Sequence, residues 1–215
     1  MRIGILGTAG VAQTLGTKLV QVGHQVRLGG RHAANERAAA WAQAAGAGAS
    51  TGTFADAAAF GELVMNCTAG TASLEALRIA GPENLNGKIL IDVANPLDFS
   101  RGMPPTLTLC NTTSLGEEIQ RAFPDVKVVK ALNTVTAAVM VEPSLLPGDH
   151  DLFVCGNDAE AKATVSRLLR ESFGWRIIHD LGDISAARGT EMMMAAWVRL
   201  MLAFGTPRFN WHIQR

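Results

Sequence analysis

The chain has 215 residues, 48% hydrophobic and 18% charged, which is enough apolar material for a packed core and excludes a wholly disordered protein. Its 19 Lys and Arg balance its 19 Asp and Glu, so a basic nucleic-acid binder is not expected. Three scattered cysteines form no CxxC or Cys/His cluster, and neither a disulfide framework nor a metal site is predicted. The apolar stretch from Met192 to Phe204 is too short to span a membrane, and the N-terminus runs into a glycine turn rather than a cleavage site. We therefore expect a cytoplasmic protein with no membrane partner.

Strand and helix signals alternate along the chain. Short apolar runs predict strands at residues 2–6, 25–28, 62–67, 88–93, 126–132, 151–155 and 176–179. Apolar stripes and alanine-rich stretches predict helices at residues 11–22, 33–45, 73–80, 114–123, 157–170 and about 185–204. This alternation is typical of a mostly parallel sheet covered on both faces.

The fold class that follows is α/β, a Rossmann-type doubly wound, mostly parallel sheet with a small, mainly helical C-terminal part. We expect residues 1–145 to form the dinucleotide-binding domain. Residues 146–215 should pack against it and complete the site of the second reactant.

Two helix starts carry capping signals, and a third carries a charge pair. Ser114 with Glu117 predicts a capping box, and Asn157 with Glu160 predicts another. Arg188 and Glu191, at positions i and i+3, are expected to form an ion pair near the start of the last helix.

A glycine-rich turn joins the first strand to the first helix. Its residues are Gly7, Thr8, Ala9, Gly10, Val11 and Ala12. A dinucleotide pyrophosphate would meet backbone amides and the positive end of a helix there. The match to G-x-G-x-x-G/A is imperfect, because Ala9 replaces a glycine and Gly10 follows one residue later. The alternative is a purely structural turn.

The end of the second strand indicates the type of dinucleotide. NAD enzymes place an acidic residue there for the ribose 2′-OH, but the first acidic residue of this chain is Glu36. Gly30 and Arg31 stand in its place, with Arg37 a turn further on. A guanidinium can bind a 2′-phosphate that a carboxylate would repel, so NADP(H) is predicted over NAD(H). The alternative is a solvated Arg31.

With these residues placed, nearly the whole chain resembles the coenzyme F-420-dependent NADP oxidoreductase family, to which the reductase domain of the STEAP metalloreductases is related. The resemblance lies in Gly7-Thr8, Gly30-Arg31, Asn95-Pro96-Leu97, Val129-Lys130-Ala131-Leu132-Asn133-Thr134, Val154-Cys155-Gly156-Asn157-Asp158 and Ala187-Arg188-Gly189-Thr190-Glu191. It implies hydride transfer between NADP(H) and a deazaflavin, coenzyme F-420.

The resemblance also implies a cofactor site over the strand ends. The residues implied are Thr8 to Ala12, Gly30, Arg31, Thr68, Ala94 and Ala137. Two departures from the family pattern stand out: Ala9 and Gly10 are displaced from the usual glycines, and Asn133 occupies a position where histidine is usual in the deazaflavin enzymes.

The side chains of the strand-end loops are the candidates for the acceptor site. Ala69, Asn95 and Asn133 follow three successive strands, where ligands of open α/β sheets bind. The two asparagines either hydrogen-bond the nicotinamide or the incoming ring, or cap local turns. Arg188 is a candidate for contact with an anionic deazaflavin tail, although a surface ion pair is the simpler interpretation.

No catalytic acid or base stands out, which suits hydride transfer between two cofactors. The chain also has no tyrosine, which excludes the Tyr/Lys chemistry of short-chain dehydrogenases. Three hypotheses remain: a deazaflavin-linked NADP oxidoreductase, an NADPH-dependent reductase of a flavin or ferric chelate, and a non-catalytic NADP(H) sensor. The apolar last helix favours a homodimer, and a small-molecule redox partner is expected.

Overall fold

The computed structural model describes all 215 residues, Met1–Arg215, around a central eight-stranded sheet. The ten strands are β1 (Arg2–Leu6), β2 (Gln25–Gly30), β3 (Ala49–Thr53), β4 (Leu63–Asn66), β5 (Ile89–Asp92), β6 (Leu97–Asp98), β7 (Thr106–Leu107), β8 (Lys127–Ala131), β9 (Asp151–Gly156) and β10 (Ile177–Asp180). All belong to the central sheet except β6 and β7, which pair with each other in a small antiparallel ladder.

The strands of the central sheet lie in the order β10-β9-β8-β5-β4-β1-β2-β3. Every neighbouring pair from β8 to β3 is parallel, β9 is antiparallel to β8, and β10 is parallel to β9. The chain leaves β1 for β2 on one side and later reaches β4 on the other, so a crevice opens beyond the carboxyl end of β1. The predicted doubly wound, mostly parallel α/β fold is confirmed.

Helices cover both faces of the sheet. They are α1 (Gly10–Gln21), α2 (Glu36–Ala45), α3 (Phe54–Phe60), α4 (Ser73–Ala80), α5 (Pro82–Leu85), α6 (Leu115–Ala122), α7 (Ala137–Val141), α8 (Ala159–Leu168) and α9 (Ala187–Phe204). None of these helices combines the length and the apolar character needed to cross a membrane.

Two hydrophobic clusters follow from the alternation of side chains along the strands. Ile5 and Met65 point into a cluster of 26 buried residues beside α1, α7 and α8. Leu6 and Val64, their neighbours in sequence, belong to a cluster of 19 buried residues beside α3, α4 and α6. The strands are therefore buried on both faces, as parallel strands usually are.

The strand β3 and the helix α3 were not predicted. The sequence of β3, Ala-Ser-Thr-Gly-Thr, contains no large apolar residue, because β3 lies at the edge of the sheet and is only partly buried. The helix α3 begins at a capping box in which Thr53 accepts from the amide of Asp56 and the Asp56 carboxylate accepts in return. The Thr-x-x-Asp spacing is the sequence signal that indicates the start of this helix.

The predicted cap at Asn157 is wrong. Asp158 caps α8 by accepting from the amide of Ala161 at 2.8 Å, while Asn157 accepts from the amide of Ile184 at 3.0 Å. The α-helix ends at Leu168 and continues as a π-helical turn, Leu169–Phe173. Asn157 and Asp158 are both suited to cap a helix. Asn157 contacts Ile184, which is distant in sequence, and Asp158 is therefore the cap.

The cap at Ser114 is confirmed with a difference in detail. Ser114 accepts from the amide of Glu117 at 3.1 Å and donates its hydroxyl to the Glu117 carboxylate at 2.8 Å. The carboxylate is therefore held by the Ser114 side chain rather than by the Ser114 amide.

A buried lysine joins two carboxylates inside the protein. Lys130 of β8 donates to Asp92 of β5 at 2.8 Å and lies 2.7 Å from Glu191 of α9, and all three side chains are at most 1% exposed. Burial alone would lower the pKa of Lys130, but the two carboxylates outweigh burial and raise it above its ordinary value, so the ammonium persists at neutral pH. Since each of these charges would be costly alone, the three depend on one another.

The expected ion pair between Arg188 and Glu191 is wrong. Glu191 accepts from the amides of Leu115 and Gly116 at 2.8 and 3.0 Å, at the start of α6. Arg188 instead donates from Nε and Nη2 to Glu117, at 2.8 and 2.5 Å. The two residues lie one turn apart on α9, but one is buried and the other is held against α6.

Replacement of Lys130 by methionine should strongly destabilise the fold, because it leaves two buried carboxylates without their cation. We expect K130M to lose about 3–5 kcal/mol of unfolding free energy, measured by urea denaturation. The matched control is K127M on the same strand, which removes a half-exposed ion pair with Asp158 and should cost far less, because solvent screens that pair. A loss for K130M no larger than that for K127M would show that the buried cluster contributes little.

Candidate functional site

Two adjoining cavities lie at the edge of the sheet where the parallel strands end. The first cavity, of about 330 Å³, is lined by Gly7, Thr8, Gly30, Arg31, Asn35, Phe54, Thr68, Ala72 and Ala76. The second cavity, of about 520 Å³, is lined by Val11, Cys67, Thr68, Ala69, Gly70, Thr71, Val93, Ala94, Asn95, Leu97, Asp98, Phe99, Asn133, Val135, Thr136, Ala137, Met140, Met194 and Trp197. Thr68 is common to both, so one elongated ligand could occupy the two.

The glycine turn forms one wall of the first cavity. Gly7 has a φ of 130°, and a Cβ on it would lie 2.7 Å from the carbonyl oxygen of Cys67, so a side chain is excluded there. Thr8 is fixed on both sides: its carbonyl accepts from Gln13 at 3.0 Å, and its hydroxyl accepts from Asn35 at 3.4 Å. The turn is thus held in place without a ligand.

The N-terminus of α1 is open to an anion. Ala9 precedes the helix without a side-chain cap, and the first turn contains no acidic residue. A Cβ on Gly10 would meet no atom within 4 Å, so the space in front of the helix is free. Ala12, in contrast, is fully buried and packs the helix against the sheet. Free amides at the positive end of a 12-residue helix are suited to a phosphate.

The end of β2 carries the positive charge predicted from the sequence. Gly30 and Arg31 line the first cavity, and the Arg31 guanidinium is mostly exposed, 3.6 Å from the carboxylate of Glu75. An exposed pair of that length is weak, so Arg31 can exchange it for a ligand. Arg37 lies on the exposed face of α2, outside the lining of both cavities.

Strand-end loops build the second cavity. All of the sequence candidates Val11, Thr68, Ala69, Ala94, Asn95, Asn133 and Ala137 line it. The strand β6 and the contribution of Phe99 were not predicted, because a two-residue strand leaves no periodic signal in the sequence. Met194 and Trp197 of α9 close one side of the cavity.

Two asparagines fasten the loops after β5 and β8. Asn95 donates from Nδ2 to the carbonyl of Asn133 at 2.7 Å, and Asn133 donates from Nδ2 to Oδ1 of Asn95 at 3.0 Å. Leu132, just before Asn133, has a φ of 64°, a left-handed conformation that costs a leucine about 1–2 kcal/mol. The pair is therefore a cross-loop clamp, and it leaves Oδ1 of Asn133 without a protein partner.

Hydrogen bonds connect the cavity wall to the buried charges below it. Thr68 donates its hydroxyl to Asn66 at 2.7 Å, and Asn66 donates to Asp92 at 2.8 Å. Lys130 then donates to Asp92 and to the carbonyl of Ala94. The loops after β4 and β5 thus rest on the same fixed network.

The thiol of Cys67 is not activated. Burial, followed by the nearby Asp92 carboxylate, raises its pKa above the ordinary value. Burial likewise raises the pKa of Cys155 to about 12. Both thiols are therefore protonated at neutral pH and are poor nucleophiles.

The C-terminal segment, residues 205–215, lies beside the second cavity without lining it. Phe209 stacks on Trp197 with ring centroids 5.3 Å apart. Asn210 donates to the carbonyl of Asp151, and the amide of Asp151 donates to the carbonyl of Trp211 at 2.8 Å. The segment supports the α9 wall from outside and leaves the cavity free. Arg188, held by Glu117, does not line the cavity either.

The doubly wound sheet, with an uncapped helix behind a glycine turn and a groove across the strand ends, defines a dinucleotide-binding protein. Residues 2–96 match the family profile described as "NADP oxidoreductase coenzyme F420-dependent". The chain is 50% identical to a crystal structure from Arthrobacter sp. FB24, provisionally named an F420-dependent NADP-reductase, with a TM-score of 0.95 and 100% of both chains covered. It belongs to this family of NADP-dependent oxidoreductases.

Two curated relatives are longer than this chain. Metalloreductase STEAP3 of Rattus norvegicus is 31% identical over 95% of this chain and 39% of its own length. F420-dependent NADP reductase of Methanocaldococcus jannaschii is 35% identical over 57% of this chain and 54% of its own length. The chain thus aligns with about half or less of each.

Alanine at two neighbouring glycines should separate folding from cofactor binding. G7A forces a Cβ against the Cys67 carbonyl at a positive φ and should cost about 1–3 kcal/mol of stability. G10A places its methyl in open space, so stability should change by less than about 0.5 kcal/mol, while NADPH binding weakens. Thermal denaturation and calorimetric titration measure the two effects. Unchanged NADPH affinity in G10A would contradict the placement of the phosphates.

Proposed function

We propose that the protein transfers a hydride between NADP(H) and a deazaflavin, coenzyme F-420. The observation that carries this proposal is the meeting of the two cavities at Thr68. One cavity offers an arginine and a helix N-terminus, which suit phosphates. The other is large and mostly apolar, which suits two flat rings placed face to face.

The donor would lie along the glycine turn. Phosphate contacts would come from Gly7, Thr8, Ala9, Gly10 and Val11, with Ala12 packing the helix beneath them. The Arg31 guanidinium, next to Gly30, is free to form a bidentate contact with a 2′-phosphate. Arg37, on the exposed face of α2, is the more distant candidate for the same anion.

The nicotinamide would enter the second cavity past Thr68, Ala69, Ala94, Asn95 and Ala137. The free Oδ1 of Asn133 is suited to accept from the carboxamide N–H of that ring. The cofactors supply the hydride chemistry itself, and the protein orients them and excludes water. We propose that residues 1–145 hold the donor and that residues 146–215 complete the acceptor site through Met194 and Trp197.

The test is a spectrophotometric assay with purified protein, oxidised coenzyme F-420 and NADPH. We expect the deazaflavin absorbance to bleach with NADPH and to bleach far more slowly with NADH. In the same assay, R31A should lose roughly tenfold or more of its NADPH-dependent kcat/KM, because a charge-assisted contact disappears. Its NADH-dependent rate should barely change.

R78A is the matched control, because Arg78 is an exposed arginine on α4 that lines neither cavity. It should retain the preference for NADPH. Equal losses with NADPH and NADH in R31A would show that Arg31 does not contact the 2′-phosphate. Bound NADPH without bleaching would exclude the deazaflavin as acceptor.

A second candidate function is NADPH-dependent reduction of a flavin or ferric chelate. It is favoured by the match of 95% of this chain to a metalloreductase. The same assay with riboflavin and ferric citrate separates the two candidates. A non-catalytic sensor is less favoured, because the C-terminal segment leaves the second cavity free.

We propose a homodimer formed through the end of α9, where Leu202 and Phe204 are more than half exposed. Apolar surface of this kind commonly marks an interface. Sedimentation velocity at micromolar concentration should give the mass of two chains, and the mass of one chain would contradict the dimer. The three free cysteines suit a reducing compartment such as the cytoplasm.

A further inference from the structure

Asp98 is the only formally charged residue among the 19 that line the second cavity. The remaining lining residues are apolar or carry neutral hydroxyl, thiol and amide groups. No lysine, arginine or histidine stands in the same wall. No cation of that lining opposes the charge of Asp98, and the nearby Arg101, which lowers the pKa of Asp98 through its charge, is exposed and lies outside the lining.

The Asp98 carboxylate is fixed in place. The amide of Ser100 donates to Oδ1 at 2.8 Å, and the Ser100 hydroxyl donates to Oδ2 at 2.9 Å. Asp98 also belongs to β6, whose ladder pairs it with Thr106. The two Ser100 hydrogen bonds hold the pKa of Asp98 below its usual range, so the group is ionised at neutral pH.

The charges buried behind the cavity sum to a negative charge, which has the same sign as the charge of Asp98. Asp92 and Glu191 carry two negative charges against the one positive charge of Lys130, which leaves one negative charge. The amides at the start of α6 offset this charge in part. No formal positive charge in the wall opposes that of Asp98.

We propose that Asp98 stabilises the positive charge that the nicotinamide ring gains when it gives up its hydride. This inference rests on the proposed function. The C4–H bond of the dihydronicotinamide breaks, both electrons leave with the hydrogen to the acceptor, and the acceptor takes a proton from solvent. The reduced ring is neutral and the oxidised ring is a cation, so a fixed carboxylate favours the oxidised ring and the transition state leading to it. Asp98 thereby biases the protein towards hydride donation by NADPH.

The test compares the dissociation constants of NADP⁺ and NADPH by calorimetric titration, without any acceptor. Both forms carry the same phosphates, so the ratio of the two constants reports the charge of the nicotinamide ring. In D98N we expect binding of NADP⁺ to weaken about threefold relative to NADPH, because solvent screens the partly exposed Asp98 carboxylate. For a two-electron couple this corresponds to a rise of about 14 mV in the potential of the bound cofactor.

Two further variants control for structure and for net charge. S100A removes one hydrogen bond to Asp98 and keeps its charge. D183N removes a carboxylate from a matching Asp-x-Ser turn, in which Ser185 donates its amide and hydroxyl to Asp183, outside both cavities. D183N should keep the wild-type ratio, and S100A, which leaves the bond from the Ser100 amide and the charge of Asp98 in place, should change it less than D98N does.

An unchanged ratio in D98N, or an equal change in either control, would overturn the role of Asp98 while leaving the NADP(H) site in place. Failure of both NADP⁺ and NADPH to bind the wild-type protein would overturn the proposed function and this inference together.

Discussion

The ammonium group of Lys130 lies at the point where distant parts of the chain meet. It bonds to Asp92 on the neighbouring strand, to the carbonyl of Ala94 in the loop that follows, and to Glu191 on the last helix. Glu191 in turn accepts from the amides that begin α6. A charge buried this deeply tolerates little displacement, since each lost partner would leave another charge unpaired. The strand ends and the last helix are therefore fixed relative to one another.

That constraint explains why the site can be built from loops. The loop after β4 is fixed through Thr68 and Asn66, and the loop after β5 through Ala94. The loop after β8 is fastened by the clamp between Asn95 and Asn133. The proposed hydride transfer requires two rings at a set separation and angle rather than a reactive side chain. Loops that are fixed beneath an apolar cavity would provide that geometry.

The sequence predicted those features whose cause is local. A glycine turn before an amphipathic helix, and an arginine where an acidic residue is usual, are signals within a few residues, and the structure places Gly7 and Arg31 in one cavity. Ligands of open α/β sheets bind beyond the carboxyl ends of the strands, and this rule correctly predicted that Asn95 and Asn133 line the second cavity. Features that depend on distant contacts were missed or misassigned. Glu191 was paired with its neighbour on the helix, although its partner Lys130 lies on a strand of the central sheet.

Strands of low hydrophobicity were also not predicted from the sequence. The edge strand β3 and the two-residue strand that carries Asp98 have no apolar period, because they are stabilised by pairing and caps rather than by burial.

The measurement that tests the account most directly is a crystal structure of the ternary complex with NADP⁺ and oxidised coenzyme F-420. We expect the 2′-phosphate on Arg31, the pyrophosphate at Gly10, and the nicotinamide and deazaflavin rings in contact within the second cavity, between Asn133 and Trp197. Rings bound in contact there would support direct hydride transfer. A deazaflavin bound elsewhere, or a nicotinamide outside the second cavity, would contradict it.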